Sequence, residues 1–294
     1  MHAVLTFPEI DPAIFSVELF GITLALRWYA LAYIVGLLLA WWIVRGLMAR
    51  PQLWHNRTPP MDTKAPEDLL TYMIIGVILG GRLGFVLFYR PAHYLANPGD
   101  VLKVWEGGMS FHGGFLGVVV AGILFCRLRN LAVVSVGDAV AISATQGLFW
   151  GRLANFINGE LWGRGTDVPW AFIFPDTRSR RCDFWGDAPC ARHPSQLYEA
   201  VLEGALLFVI MAIAIRFGAL KRPGLLIGMF LTGYGSARLF VEQFRQPDQQ
   251  FTAPDNPIGY AYWIGDIGVT MGQALSVPMI LAGLAIIAWK FRPT

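Results

Sequence analysis

The chain has 294 residues, 55% of them hydrophobic and 15% charged, with a mean hydropathy of +0.50. A soluble domain carries about 25% charged residues, so this composition excludes a single soluble core and indicates a polytopic membrane protein. A net charge of +3 with no basic run along a helix gives no reason to expect a nucleic-acid partner.

The eleven Trp and nine Tyr suit the aromatic belts of membrane interfaces. Pro8, Glu9 and Asp11 break up the first apolar run, and no basic region precedes it. No cleavable signal peptide is therefore expected. The stretch PAIFSVELFGITLAL has partial alternation and reads as a short strand pair or an interfacial segment.

Seven apolar stretches follow. They run over residues 26–44, 68–89, 109–126, 133–156, 194–215, 224–242 and 267–289, each near the roughly 20 residues a crossing helix needs. The expected fold is all-α: one membrane-embedded domain over 1–294, with residues 158–194 as an extramembrane subdomain on the outer face. Pro194 suits the first turn of the fifth span, and Pro278 should kink the seventh. Short loops carrying Arg45, Arg50, Arg57, Lys64, Arg127, Arg129, Lys221, Arg222, Lys290 and Arg292 mark the cytoplasmic side. The N-terminus is then outside, as is the 158–194 loop. Cys182 and Cys190 flank DFWGDAP in that loop, where an oxidising compartment would allow a disulfide. Only His193 is near them, so a zinc site is not expected.

The fourth span ends in GRLANFINGE. Arg152, Asn155 and Asn158 can share a helix face, with Glu160 just beyond. An arginine inside a span normally faces a cavity or a partner, whereas an isolated one near a helix end can simply snorkel. Spans two, four and six each carry a small residue and then Arg-Leu, in GGRLGF, GRLANF and SARLFVEQF. Their arginines, Arg82, Arg152 and Arg238, fall in the outer part of each span. In the sixth span Tyr234, Arg238 and Glu242 lie at i, i+4 and i+8, and Arg245 lies three residues further on. Arg238 and Glu242 can pair there, either for function or to hold the bundle.

His112 sits among glycines in WEGGMSFHGG and reads either as a base near neutrality or as a packing residue. Tyr29, in RWYA, is a belt tyrosine or points inward. HPSQLYEA reads as a helix cap and joint, with Tyr198 and Glu199 one turn in. Arginines beside a carboxylate suit a phosphate, because guanidinium donors are planar and bidentate. GxSxG, HExxH and P-loop runs are absent, so serine hydrolase, zinc protease and nucleotide-driven pump lack support. The residues alone define a membrane enzyme or transporter for an anionic lipid or solute, with a structural scaffold as a further alternative.

Resemblance narrows this. EGGMSFHGG, GRLANFINGELWGR, HPSQLYEA and YGSARLFVEQFR, in this order, resemble the prolipoprotein diacylglyceryl transferase family over nearly the whole chain. The resemblance implies a bacterial inner-membrane enzyme that needs no cofactor or metal. It would move the diacylglyceryl group of phosphatidylglycerol to the lipobox cysteine of a prolipoprotein signal peptide, as the first step of lipoprotein maturation. It implies a catalytic set of His112, Arg238, Glu242, Tyr29 and Tyr234. Phosphatidylglycerol would be bound by Arg152, Asn155, Glu160, Gly163 and Arg245. His112, or else a glutamate, would take the thiol proton.

Overall fold

The computed structural model describes residues 5–291, apart from 9, 12, 20–21, 181–188, 248 and 254. In chain order its helices are α1 (Trp28–Met48), α2 (Ala65–Phe88), the short α3 (Pro91–Ala96), α4 (Phe111–Leu128), α5 (Val133–Ile157), α6 (Ser195–Glu199), α7 (Leu207–Arg216), α8 (Leu225–Val241) and α9 (Met271–Lys290). A π-helical stretch, Ala200–Leu206, joins α6 and α7 into one segment, Ser195–Arg216. With that segment, α1, α2, α4, α5 and α9 make six helices among the described residues long and apolar enough to cross a membrane. The α8 helix, with 17 residues, is shorter. The chain is a multi-pass membrane protein of the all-α class.

The strands are short accessories. The N-terminal alternation forms an antiparallel hairpin of β2 (Ala13–Leu19) and β3 (Ile22–Arg27), while β1 (Leu5–Thr6) pairs in parallel with β4 (Phe172–Ile173). The seventh apolar stretch becomes helical later than expected. Ile267–Val269 is β6, paired with β5 (Tyr262–Ile264), and Thr270 then opens α9 with a capping box to Gln273. Of the basic residues expected on the cytoplasmic side, Arg292 lies outside the described residues. So does Cys182, while Cys190 is fully buried and is not a free thiol.

Residues 41–140 form one compact unit, and residues 1–40 with 141–294 form another. In the first, α2 and α4 meet along glycines spaced by four: Gly76, Gly80 and Gly84 on α2, Gly113 and Gly117 on α4. A Cβ on Gly117 would strike the Gly76 carbonyl oxygen, and one on Gly80 would strike that of Gly113. Such close backbone approach replaces the hydrophobic drive that is missing between helices in lipid. Arg82, near the end of α2, is buried. It donates through Nε to Val101 O (2.8 Å), through Nη2 to Asp100 O (2.5 Å) and through Nη1 to Gly107 O (2.6 Å). It therefore fixes the loop entering α4 instead of holding a free guanidinium for a ligand.

In the second unit, an aromatic cluster caps the end of α5. Phe156 packs on Phe7 and Phe172, each 5.3 Å between ring centroids, and Phe7 on Phe174 at the same distance. Arg192 ties this layer together. It donates to Ser179 O (2.6 Å), Gly163 O (3.1 Å) and Gln246 Oε1 (2.8 Å), and lies 4.2 Å from the Trp162 ring centre. Burial pushes its pKa down to about 10, which still leaves it charged at neutral pH.

The glycine seam is open to a direct test. Gly117→Val should destabilise the α2–α4 pair by about 1–3 kcal/mol through overpacking, lowering the thermal midpoint of the detergent-solubilised protein. Gly122→Ala adds a Cβ only 3.6 Å from the Met73 methyl, an ordinary contact, and should leave the midpoint in place.

Candidate active site

The site grows from the last two turns of α5. Arg152 leaves α5 toward the Ser195–Arg216 segment and meets two carboxylates there. Its Nε lies 3.2 Å from Glu199 Oε2, and its Nη2 lies 3.8 Å from Glu203 Oε2. Both glutamates are wholly buried. They stand four residues apart where α6 passes into the π-helical stretch. Short π-type turns are rare and tend to occur at functional sites. Gly204 makes the approach possible, since a Cβ there would come within 2.6 Å of Phe149 Cβ on α5.

The end of α8 supplies the rest. Arg238 Nη1 donates to Glu242 Oε2 at 2.5 Å, one helical turn apart. Arg245 Nη1 donates to Glu199 Oε1 at 2.6 Å, and its Nε lies 3.7 Å from Glu242 Oε2. The Thr270 hydroxyl, which caps α9, donates to Glu242 Oε1 at 2.8 Å. Gly272 leaves room for that carboxylate, because a Cβ would come within 2.6 Å of it. The result is one alternating chain: Glu203, Arg152, Glu199, Arg245, Glu242, Arg238. Every member but the outermost pair touches two opposite charges, which offsets the cost of taking ions out of water.

Beside this chain, Asn155 and Asn158 both donate to Glu160 Oε1, at 2.9 and 3.5 Å. The backbone here is unusual: Gly159 and Leu161 have φ of +65° and +55°. For leucine that is a strained conformation, and two side chains of α6 hold it. Gln196 Nε2 donates to Glu160 O (2.6 Å), and Ser195 Oγ to Leu161 O (3.2 Å). Gly163 is sterically obligatory, because a Cβ would strike Phe244 O and come within 2.7 Å of His193 O. Its amide donates to His193 O at 2.9 Å, while Arg164 N donates to Phe244 O at 2.8 Å. An isolated antiparallel bridge between Gly163 and Arg245 thus sets where Arg245 begins. His193 is an architectural residue. Its Nδ1 lies 3.1 Å from Tyr198 Oη, and burial lowers its pKa, so it is neutral at pH 7.

The structure brings Arg152, Arg238, Glu242 and Arg245 into one connected group, with the Asn155–Glu160 cluster on the following turn of chain. Glu160 is not the carboxylate that meets Arg152; Glu199 and Glu203 are. Tyr234 lies on α8, stacked on Phe230 at 5.7 Å. Tyr29 opens α1, with its hydroxyl 3.1 Å from that of Tyr33. His112 lies in the other compact unit, exposed on the first turn of α4. Sequence reasoning missed Glu203 and Thr270 and took Glu199 for part of a joint. Two carboxylates at i and i+4 inside one apolar span were the available signal, by the same rule that singles out Arg152.

Fold and site together define a membrane-embedded protein in which three half-buried arginines meet buried and half-buried carboxylates in one connected group. The family model described as prolipoprotein diacylglyceryl transferase matches residues 17–289. The chain is 59% identical over 281 residues to a protein of Cereibacter sphaeroides, covering 95% of this chain and 96% of that one. It is 56% identical over 285 residues to one of Ruegeria pomeroyi (97% and 96% covered) and 52% identical over 293 residues to one of Rhodospirillum rubrum (98% and 96%). Each of these relatives is named phosphatidylglycerol–prolipoprotein diacylglyceryl transferase. The chain belongs to the prolipoprotein diacylglyceryl transferase family.

Glu199 is the link most exposed to test, since it bridges two arginines. Glu199→Gln should leave both guanidiniums short of a counter-charge and cost about 3–5 kcal/mol of stability. Asn155→Ala removes one hydrogen bond to Glu160 and should cost about 1–3 kcal/mol. Thermal unfolding of the two variants side by side in detergent checks the order.

Proposed function

We propose that the protein transfers the diacylglyceryl group of phosphatidylglycerol to the lipobox cysteine of a prolipoprotein signal peptide, with no cofactor. A carbon–sulfur bond forms at the glycerol carbon. The bond from that carbon to the phosphate oxygen breaks, and glycerol phosphate leaves with the electron pair. The thiol must first give up its proton. His112, or else a glutamate, takes it in this reading, and Tyr29 and Tyr234 match polar positions of the family's site.

The observation that carries the reading is the three-arginine chain. Breaking the bond to phosphate develops charge on the leaving oxygens. Guanidiniums already oriented by buried carboxylates stabilise that charge without reorganising, and they do so most strongly away from water. In this scheme Arg152 holds the lipid phosphate with Asn155 and Glu160, and Gly163 keeps the following backbone in place. Arg238 and Arg245 stabilise the departing phosphate, oriented by Glu242. The family membership and the relatives' printed names support the same substrates.

The arrangement in the membrane follows the basic-residue bias. The protein sits in the bacterial inner membrane with the N-terminus periplasmic and the C-terminus cytoplasmic. The α8 helix serves as the seventh crossing, and residues 158–194 form an outer-face subdomain that receives the signal peptide.

Purified protein, phosphatidylglycerol and a lipobox peptide should yield a diacylglyceryl adduct on the cysteine by mass spectrometry. Arg152→Ala should lower the yield rate at least about a hundredfold, as loss of one preorganised donor does elsewhere. His112→Gln should lower it by about 10²–10⁴ if the ring moves the proton. No adduct from folded wild-type protein with a competent peptide would overturn the assignment, and near-normal turnover of His112→Gln would remove the histidine.

A further inference from the structure

The three carboxylates of the charge chain are not equivalent. Glu242 accepts hydrogen bonds from Arg238 (2.5 Å) and Thr270 (2.8 Å). Glu199 accepts one from Arg245 at 2.6 Å and lies 3.2 Å from Arg152. Glu203 is wholly buried, and neither of its oxygens accepts a hydrogen bond from any described residue. Its nearest cation, Arg152 Nη2, stands off at 3.8 Å and is already engaged by Glu199. Groups from every surrounding element act on it: Glu199 on its own segment, Arg152 from α5, Arg238 and Tyr234 from α8, and Arg245 beyond α8.

A buried carboxylate without hydrogen bonds is costly as an ion and much less so as an acid. Two carboxylates sharing one arginine also cannot both ionise cheaply. We infer that Glu203 is held as the neutral acid and so sets the charge of the site. Along the chain three guanidiniums then face two ionised carboxylates, one positive charge more than with Glu203 ionised, while Glu160 beside the chain is the same in either state. That added charge favours a lipid head group carrying a negative charge, a phosphodiester. With Glu203 ionised the chain would be neutral, and the same head group would bring an unbalanced charge into the bilayer. Glu203 is therefore a specificity-determining residue acting through Arg152. It is distinct from the group that takes the thiol proton. The inference rests on the proposed phosphatidylglycerol site and deepens it.

The sign of the pH effect follows. Binding that needs the neutral acid is complete below the Glu203 inflection and falls about tenfold per pH unit above it. Phosphatidylglycerol with a fluorescent tail would be titrated onto the protein in phosphatidylcholine nanodiscs between about pH 6 and pH 10, without peptide, so that no thiol titrates. Wild-type binding should fall on the alkaline side. Glu203→Gln, a permanently neutral analogue, should lack that fall and bind at least about tenfold tighter than wild type at the alkaline end. If this variant does not fold, Glu203→Met serves the same purpose. A merely structural role would weaken binding in either variant at every pH, and that result would overturn the inference. So would wild-type binding that stays flat with pH, or an alkaline fall retained in the variant. Adduct formation by the wild type, read in parallel, separates the two claims: no adduct sinks the reaction, and adduct with pH-independent binding sinks only the charge assignment.

Discussion

Charges buried in an apolar chain must be paired, and in this protein that one constraint fixes the site. Arg152 on α5, Glu199 and Glu203 on the next segment, and Arg238, Glu242 and Arg245 at the end of α8 come from stretches far apart in sequence. Arg152 and Arg245 are tolerable there because Glu199 meets both of them from another segment, and Arg238 because Glu242 meets it one turn along its own helix. The helices therefore cannot slide or rotate independently at this level. A shift of one turn would leave a guanidinium or a carboxylate bare, at a cost larger than most single contacts repay. The arginines are in consequence preorganised before any ligand arrives, and preorganisation is what lets them act on developing charge.

Small residues make the pairing reachable. Gly204 lets Phe149 approach the π-helical stretch, which brings Glu203 within range of Arg152. Gly272 leaves the first turn of α9 open to the Glu242 carboxylate, where Thr270 donates and the amino end of the helix also favours negative charge. Gly163 sits where any side chain would push away the backbone at His193 and Phe244, just before Arg245. Polar pairing specifies the arrangement, and the absent side chains permit it.

Much of this was legible in the sequence, and the exceptions have physical reasons. Hydropathy marks the apolar helices because lipid forces backbone polar groups to pair within each helix. Arg238 and Glu242 were readable as a pair because one helix carries both, four residues apart. The partner of Arg152 was not, because the choice among Glu160, Glu199 and Glu203 is made by tertiary packing. Nor could the sequence separate Arg82 from Arg152, each preceded by glycine and followed by leucine. One donates to the carbonyls of a neighbouring loop and the other meets carboxylates, a difference decided by what the fold places opposite. The late start of α9 was hidden for a similar reason, since Ile267 and Val269 are as apolar as the helix that follows and only their pairing with β5 makes them a strand.

The contrast between Arg82 and Arg152 also shows why an intramembrane arginine is weak evidence by itself. Arg82 gives its donors to four backbone carbonyls, which orient strongly but carry no full charge to exchange. Such an arginine is a fastener, and an anion could reach it only by dismantling the loop. Arg152 faces carboxylates instead, and one of them accepts no hydrogen bond from any described residue. A guanidinium held by side-chain oxygens can exchange one oxygen partner for another at little cost in geometry. What separates a functional from a structural arginine inside a membrane is therefore the kind of partner it already holds and how readily that partner can be exchanged.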